Sequence, residues 1–264
     1  MSFNITVEGG SSVRLPTKGK YCDRDIVITA TGGGGSGGGI SADDIANCAI
    51  KGDINLTVKT IQQGAFWGNG GITSVDAPNA TTIEERAFNS CGSITEINAP
   101  EVVSIGTYGL AYCYDLAKID FPKLETIGTY GLYYCSGVQG DLVFPALTAA
   151  PTQCFCRMSG ITSIDLPVCT SILDQVFRYC SKLDTIILRS TTLCTLGNIN
   201  AFYNMPFGSG QAGGKLYTPA ALVESYKAAA KWSTILGYAT NEIRALEDYT
   251  VDGTITGALD ASKI

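Results

Sequence analysis

The chain has 264 residues, of which 45% are hydrophobic and only 16% charged, and it carries a net charge of −6 with no histidine. This balance argues against a nucleic-acid or anionic-membrane surface, which needs clustered Lys and Arg to displace counterions. The missing histidine removes the commonest general base and metal ligand. The length leaves room for one extended domain with small appendages, and no run approaches the roughly 18 apolar residues that a membrane span requires.

Residues 1–31 read as a small β unit. Phe3, Ile5 and Val7 alternate, Val13 and Leu15 lead into Pro16, and Asp25-Ile26-Val27-Ile28-Thr29-Ala30 is β-branched. About 30 residues cannot bury a core of their own, so the unit is expected to fold against something else, with a ragged terminal cap as the plain alternative. Met1 to Glu8 lack the basic and apolar regions of a secretory leader, so the chain is expected to be made in the cytosol with its thiols reduced. Residues 32–40 have the composition of a flexible linker, native or engineered, and no phosphate-cradling spacing follows them. Ser41 to Ile50 read as a helical turn or two capped by Ser41.

The region 41–213 is organised by a repeat. Pro78, Pro100, Pro122, Pro145 and Pro167 are separated by 22, 22, 23 and 22 positions, with partial units before and after and Arg189 standing where the next proline would fall. In Leu116-Ala-Lys-Ile-Asp-Phe-Pro122 the aliphatic residues alternate with polar ones, as in a strand that the proline then ends. Ile127, Leu132 and Cys135 supply further inward positions. The expected architecture is an α/β solenoid: a right-handed coil of about 22-residue repeats whose strands stack into one parallel sheet, about 4.8 Å apart.

Cys91, Cys113, Cys135 and Cys180 share one register, and Met158 takes their place in the long unit. Methionine cannot replace a disulfide partner or a zinc thiolate, but it fills a small apolar pocket, so these cysteines read as buried packing thiols. Cys154-Phe-Cys156 is not a CxxC motif, and no zinc constellation of CxxC pairs is present.

At these residues the chain resembles the BspA-like branch of leucine-rich repeats. The match lies in Ile161-Thr-Ser-Ile-Asp-Leu-Pro167 with Val176-Phe177, Cys180 and Leu183, and in the copies Ala65-Phe66 and Ala87-Phe88. The resemblance covers roughly residues 50 to 190 and implies a leucine-rich-repeat solenoid. Residues 214–264 resemble the endings of such arrays: the strand Gly214 to Thr218, then a helix with Thr218 as N-cap and Leu222, Tyr226 and Ala229 or Ala230 on one face. The tail Ile243 to Leu259 reads as one or two short strands around the turn Asp252-Gly253. The opening thirty residues resemble the N-terminal segment of phage tail and structural proteins. That resemblance implies attachment to other virion proteins through Val13, Leu15, Asp25, Ile26 and Ile28.

Two surfaces are candidates for binding. The outward strand positions carry a partial acidic row, Asp76, Asp120 and Asp165, interrupted by Asn98 and Val143, with Lys118 beside Asp120. They suit a sugar or a cation, or form an ordinary solvated face. Tyr112, Tyr134 and Tyr179 form a second row, with Tyr108 and Tyr130 in another register, suited to glycans or protein partners or to ladder stacking alone. Met205 and Phe207, in a loop expected to overhang the last coil, are a further candidate contact. No catalytic residues and no cofactor are expected. Carboxylate pairs occur only at repeat spacing, which leaves a glycosidase-like pair open.

The expectation for function is a non-enzymatic virion structural or adhesion protein displaying the solenoid to a host-surface protein or glycan. The alternative is a BspA-like adhesin of the bacterial surface. A homo-oligomer is expected by analogy, and neither nucleic acid nor membrane insertion.

Overall fold

In a computed structural model the described residues are 2–7, 20–21, 27–30, 48–49, 52–207, 213–237 and 241–249. They form a parallel β-solenoid of about seven coils. Each coil has three sides. The first, in all coils but the one holding residues 118–120, is a strand of three to six residues, as in Ile72–Asp76, Glu96–Asn98 and Gly160–Asp165. The second is a two-residue strand, as in Thr82–Ile83 and Ser171–Ile172. The third is a tight turn segment such as 108–112, which hydrogen-bonds to the next coil: Tyr108 N donates to Thr129 O, Leu110 N to Gly131 O and Tyr112 N to Tyr133 O, at 2.8–3.1 Å. The proline of each coil falls just past the long strand, where a missing N–H costs nothing.

Ile54, Val75, Ile97, Leu142, Ile164 and Ile186 point inward from the long strands and are buried. The turn sides supply Phe66 and Phe88, stacked at 5.0 Å, then Leu110 and Leu132, then Phe155, Phe177 and Phe202 at 5.8 and 5.9 Å. One apolar column therefore runs the length of the array. Where two coils approach closely the residue must be glycine: a Cβ on Gly128 would lie 2.4 Å from the Thr107 nitrogen.

The long-strand sheet is divided. One set holds Val27–Ala30, Ser2–Val7, Gly52–Leu56, Ile72–Asp76 and Glu96–Asn98, in that order, and the other begins at Gln139–Val143 and ends at Glu242–Ala245. Between them, residues 118–120 form no strand, and no backbone hydrogen bond joins them to the strand on either side; the last is Ala117 N to Thr95 O at 2.9 Å. This departs from the expected unbroken sheet.

The division falls between two similar halves. Gly71-Ile-Thr-Ser-Val-Asp76 returns 89 residues later as Gly160-Ile-Thr-Ser-Ile-Asp165, and Gly52-Asp53 returns 88 later as Gly140-Asp141. Both halves open on a bulge whose glycine has positive φ, 77° at Gly52 and 79° at Gly140. In both, the aspartate that follows accepts two hydroxyls: Asp53 from Thr73 and Ser74, Asp141 from Thr162 and Ser163, at 2.6–2.9 Å. The Ser74 bond, then that of Thr73, holds the Asp53 carboxyl below its usual range.

The N-terminal strands find a partner within the chain, since Ser2–Val7 pairs in parallel with Gly52–Leu56 and with Val27–Ala30. Cys48–Ala49 is a short strand paired with Lys20–Tyr21, not the end of a helix; the rest of that expected helical turn lies outside the described residues. So do Val13, Leu15, Asp25 and Ile26, and Ile28 lies in Val27–Ala30.

At the other end Thr218 closes the strand Lys215–Thr218 and does not cap a helix. A 3-10 turn, Ala220–Leu222, follows, then α1 (Val223–Ala228) and α2 (Ala230–Leu236), separated by Ala229 in extended conformation. The strand Glu242–Ala245 pairs in parallel with Lys215–Thr218. The turn at Asp252-Gly253 lies outside the described residues. Among the described residues no helix is long and apolar enough to cross a membrane.

Candidate functional site

The acidic row of the strand face does not form a single surface. Asp76 accepts the Asn98 amide at 2.6 Å. Lys118 and Asp120 are exposed and line, with Glu96, Asn98 and Pro100, a shallow cleft over the break in the sheet. Asp165 differs most from its expected place. It is only 6% exposed and accepts from Arg189 Nε at 2.9 Å and Nη2 at 2.8 Å, so it is withdrawn from any ligand. Burial pushes its carboxyl above the usual range, and Arg189 opposes the shift. Nearby the Tyr249 ring packs on Tyr217 at 4.7 Å, and burial, then the Asp141 and Asp165 charges, raise its hydroxyl. Arg189 thus stands in the proline position because it reaches back one coil to neutralise a buried charge.

The turn face is a single connected surface. Arg86 lies over Trp67 and Tyr108, at 5.6 and 5.4 Å. Tyr108 stacks on Tyr130 at 4.5 Å, and Tyr130 meets Tyr133 edge-on at 5.4 Å. Tyr112, Tyr114, Tyr133 and Tyr134 form a mutually edged cluster with centroids 5.1–6.2 Å apart. Beyond it rings and cations alternate. Arg157 lies between Tyr134 and Tyr179, at 5.2 and 4.6 Å, and Arg178 between Tyr179 and Tyr203, at 4.8 and 5.1 Å. Tyr112, Tyr134 and Tyr179 are therefore joined through Arg157. The residues not foreseen from the repeat are Trp67, Tyr114, Tyr133, Tyr203 and the three arginines. Their signal was available: an aromatic or cationic side chain recurs beside the ladder cysteine in nearly every unit.

The backbone beneath this face is strained. Six successive turns carry two left-handed residues four apart: Gly64 and Gly68 in the first coil, then Arg86 and Ser90, Tyr108 and Tyr112, Tyr130 and Tyr134, Gln153 and Arg157, Gln175 and Tyr179, with φ between 53° and 74°. Glycine adopts this conformation freely, whereas a residue with a Cβ pays about 1 to 2 kcal/mol. The first coil shows that glycine serves the turn. Five further coils place large or polar side chains there instead, and strain held at repeated positions points to a use for the side chains. Burial among neighbouring rings raises the Tyr108, Tyr112 and Tyr133 hydroxyls above their usual range.

Cys91, Cys113, Cys135, Cys154, Cys156, Cys169, Cys180 and Cys194 are free and buried. The ladder thiols donate to carbonyls of the preceding coil: Cys91 to Phe66, Cys113 to Phe88, Cys135 to Leu110 and Cys180 to Phe155, at 2.9–3.3 Å. Burial pushes Cys91 and Cys135 up to about 12 and Cys156 to about 11, so these thiols are protonated at neutral pH. Among the described residues no three His, Cys, Asp or Glu converge on a metal position.

Coils with a parallel strand face, an aliphatic and phenylalanine core and a ladder cysteine define a solenoid of the leucine-rich-repeat class. The BspA type leucine rich repeat region model (6 copies) matches residues 40–148 and 103–211, and the chain belongs to that family. Among solved structures it is similar to a leucine-rich repeat protein from Bacteroides ovatus, at 17% identity and a TM-score of 0.42, over 76% of this chain and 67% of that one. It is similar also to a leucine rich cell surface protein from Faecalibacterium prausnitzii, at 17% identity and a TM-score of 0.43, over 79% and 75%. No curated protein sequence matches it.

Proposed function

We propose that the protein is a non-catalytic adhesion module of a bacterial surface, and that its ligand seats on the turn face. The observation that carries this reading is the unbroken run of rings and guanidiniums held on strained backbone over successive coils. Tyrosine offers a rigid apolar body with a polar tip, and Tyr, Trp and Arg dominate the energetics of binding surfaces. Membership of the BspA type family supports an adhesive role. The buried thiols and scattered carboxylates support a non-enzymatic reading.

Beads carrying the purified protein, tested for retention on a mucin-coated surface under flow, provide the experiment. Replacing Tyr112, Tyr134 and Tyr179 by alanine is expected to lower retention on the order of tenfold or more, as for loss of interface anchors. Asp76→Asn with Asp120→Asn, on the strand face, leaves it unchanged. Equal retention by the tyrosine variant, or loss in the strand-face variant alone, overturns the assignment.

A further inference from the structure

Within the turn face the stretch from Tyr134 to Tyr203 differs from the rest. Two guanidiniums, Arg157 and Arg178, flank the one ring of Tyr179, at 4.6 and 4.8 Å. Among the described residues neither is ion-paired, whereas Arg86, Arg189 and Arg244 each hold a carboxylate. Arg178 is steadied by neutral groups: Nη1 donates to Gln175 Oε1 at 2.7 Å and Nη2 to the Tyr179 hydroxyl at 3.2 Å, while its buried Nε has no partner. Asp174, the acidic residue of the same turn, accepts from Gln175 at 3.0 Å and does not reach a guanidinium. Two cations with no carboxylate in ion-pair contact, Asp174 standing one amide away from Arg178, form a local positive patch able to attract an anion on a chain of net charge −6.

The rest of the patch indicates what kind of anion. Beside the arginines lie the amides of Gln153 and Gln175, bonded to each other at 2.6 Å, and the ring of Tyr203, 42% exposed. Of the exposed aliphatic residues, Val168 and Leu173 lie outside the turn segment, while Ile199 opens the next turn, whose Ala201 and Tyr203 carbonyls accept from Phe177 N and Tyr179 N. Ring faces for C–H surfaces, amides for hydroxyls and guanidinium forks for carboxylates are the groups that an acidic sugar requires. We infer that the Arg157–Tyr179–Arg178 patch binds a carboxylated sugar residue of an acidic glycan. This rests on the turn face being the binding face, and gives it a ligand class.

The test is isothermal titration of the full chain with tetragalacturonate, 3′-sialyllactose, neutral lactose and tetraglutamate. At least one of the two acidic sugars is expected to bind saturably and more weakly as NaCl is raised. Its affinity is expected to exceed that of lactose by about tenfold or more, as for a charge-assisted forked contact. Arg157→Gln with Arg178→Gln, checked for native circular dichroism, abolishes that preference, and Arg157→Lys, which keeps the charge without the fork, retains part of it. The inference is overturned if neither acidic sugar binds better than lactose, if the glutamine variant keeps the preference, or if tetraglutamate binds as well, which would give the patch to an acidic peptide. If these sugars fail while the tyrosine variant still loses retention on mucin, only the ligand class is wrong; if both fail, the turn face itself is wrong.

Discussion

The thiol of Cys113 is buried and donates to the Phe88 carbonyl one coil back, and its counterparts Cys91, Cys135 and Cys180 do the same. That these cysteines are packing residues was legible in the sequence, because Met158 stands among them. The thiol-to-carbonyl bond was not, since which carbonyl faces the core depends on the path of the neighbouring turn. The burial has a pH signature. Cys91 and Cys135 are raised from 9.0 to about 12 and Cys156 from 9.0 to about 11, so the folded chain holds protons that the unfolded chain has released. The stability they contribute is complete below pH 9 and is lost as pH rises from there through 11 to 12. Urea midpoints measured at pH 7.5, 9 and 10.5 should fall most over the last interval. The fall should be shallower in Cys91→Ala with Cys135→Ala. Equal slopes in the two proteins would contradict the assignment. Asp165 shows the opposite limit of a sequence reading: it shares its local motif with Asp76, yet it is buried and paired with Arg189, which lies 24 residues away.

Among the elements, the C-terminal helices explain how the stack ends. The last coil leaves the peptide of Cys194 at an open end, and two aromatic side chains clamp it. Cys194 N donates to the Tyr226 hydroxyl at 3.1 Å, and Trp232 Nε1 donates to the Cys194 carbonyl at 2.7 Å. Trp232 also packs against Phe202 at 5.5 Å, continuing the phenylalanine column into the cap. The helical spacing of Leu222 and Tyr226 was readable. The break at Ala229 was not, because alanine favours helix and the interruption comes from the need to lay both Tyr226 and Trp232 on one coil. Truncating Trp232 to alanine should cost about 3 to 5 kcal/mol by cavity and lost hydrogen bond, whereas Trp232→Phe should cost about 1 to 2. Thermal melts of the two variants check this. Equal losses would mean that the clamp contributes nothing beyond ring burial.

At the scale of the molecule the repeat gave the coil length, the core column and the strand face, since all three depend on residues that recur at 22 positions. The duplication of 88 to 89 residues and the division of the sheet at 118–120 were hidden, because a strong short period masks a long one. The candidate site was legible only in part for a related reason: its rings belong to one register, but its arginines occupy the copies where that register varies. Three sides of one solenoid thus have separate uses. The strand face is paired, cleft or buried, the short-strand side closes the coil, and the turn side offers rings and cations. Hydroxyl-radical footprinting of the protein free and held on mucin distinguishes these sides in one measurement. Trp67, Tyr114 and Tyr203, exposed by 47%, 43% and 42%, are predicted to be protected on binding, while Val168 and Leu173, exposed by 44% and 40% elsewhere, stay as reactive as in the free protein. Protection of Val168 and Leu173 with the three aromatic residues still reactive would contradict the turn face as the binding face.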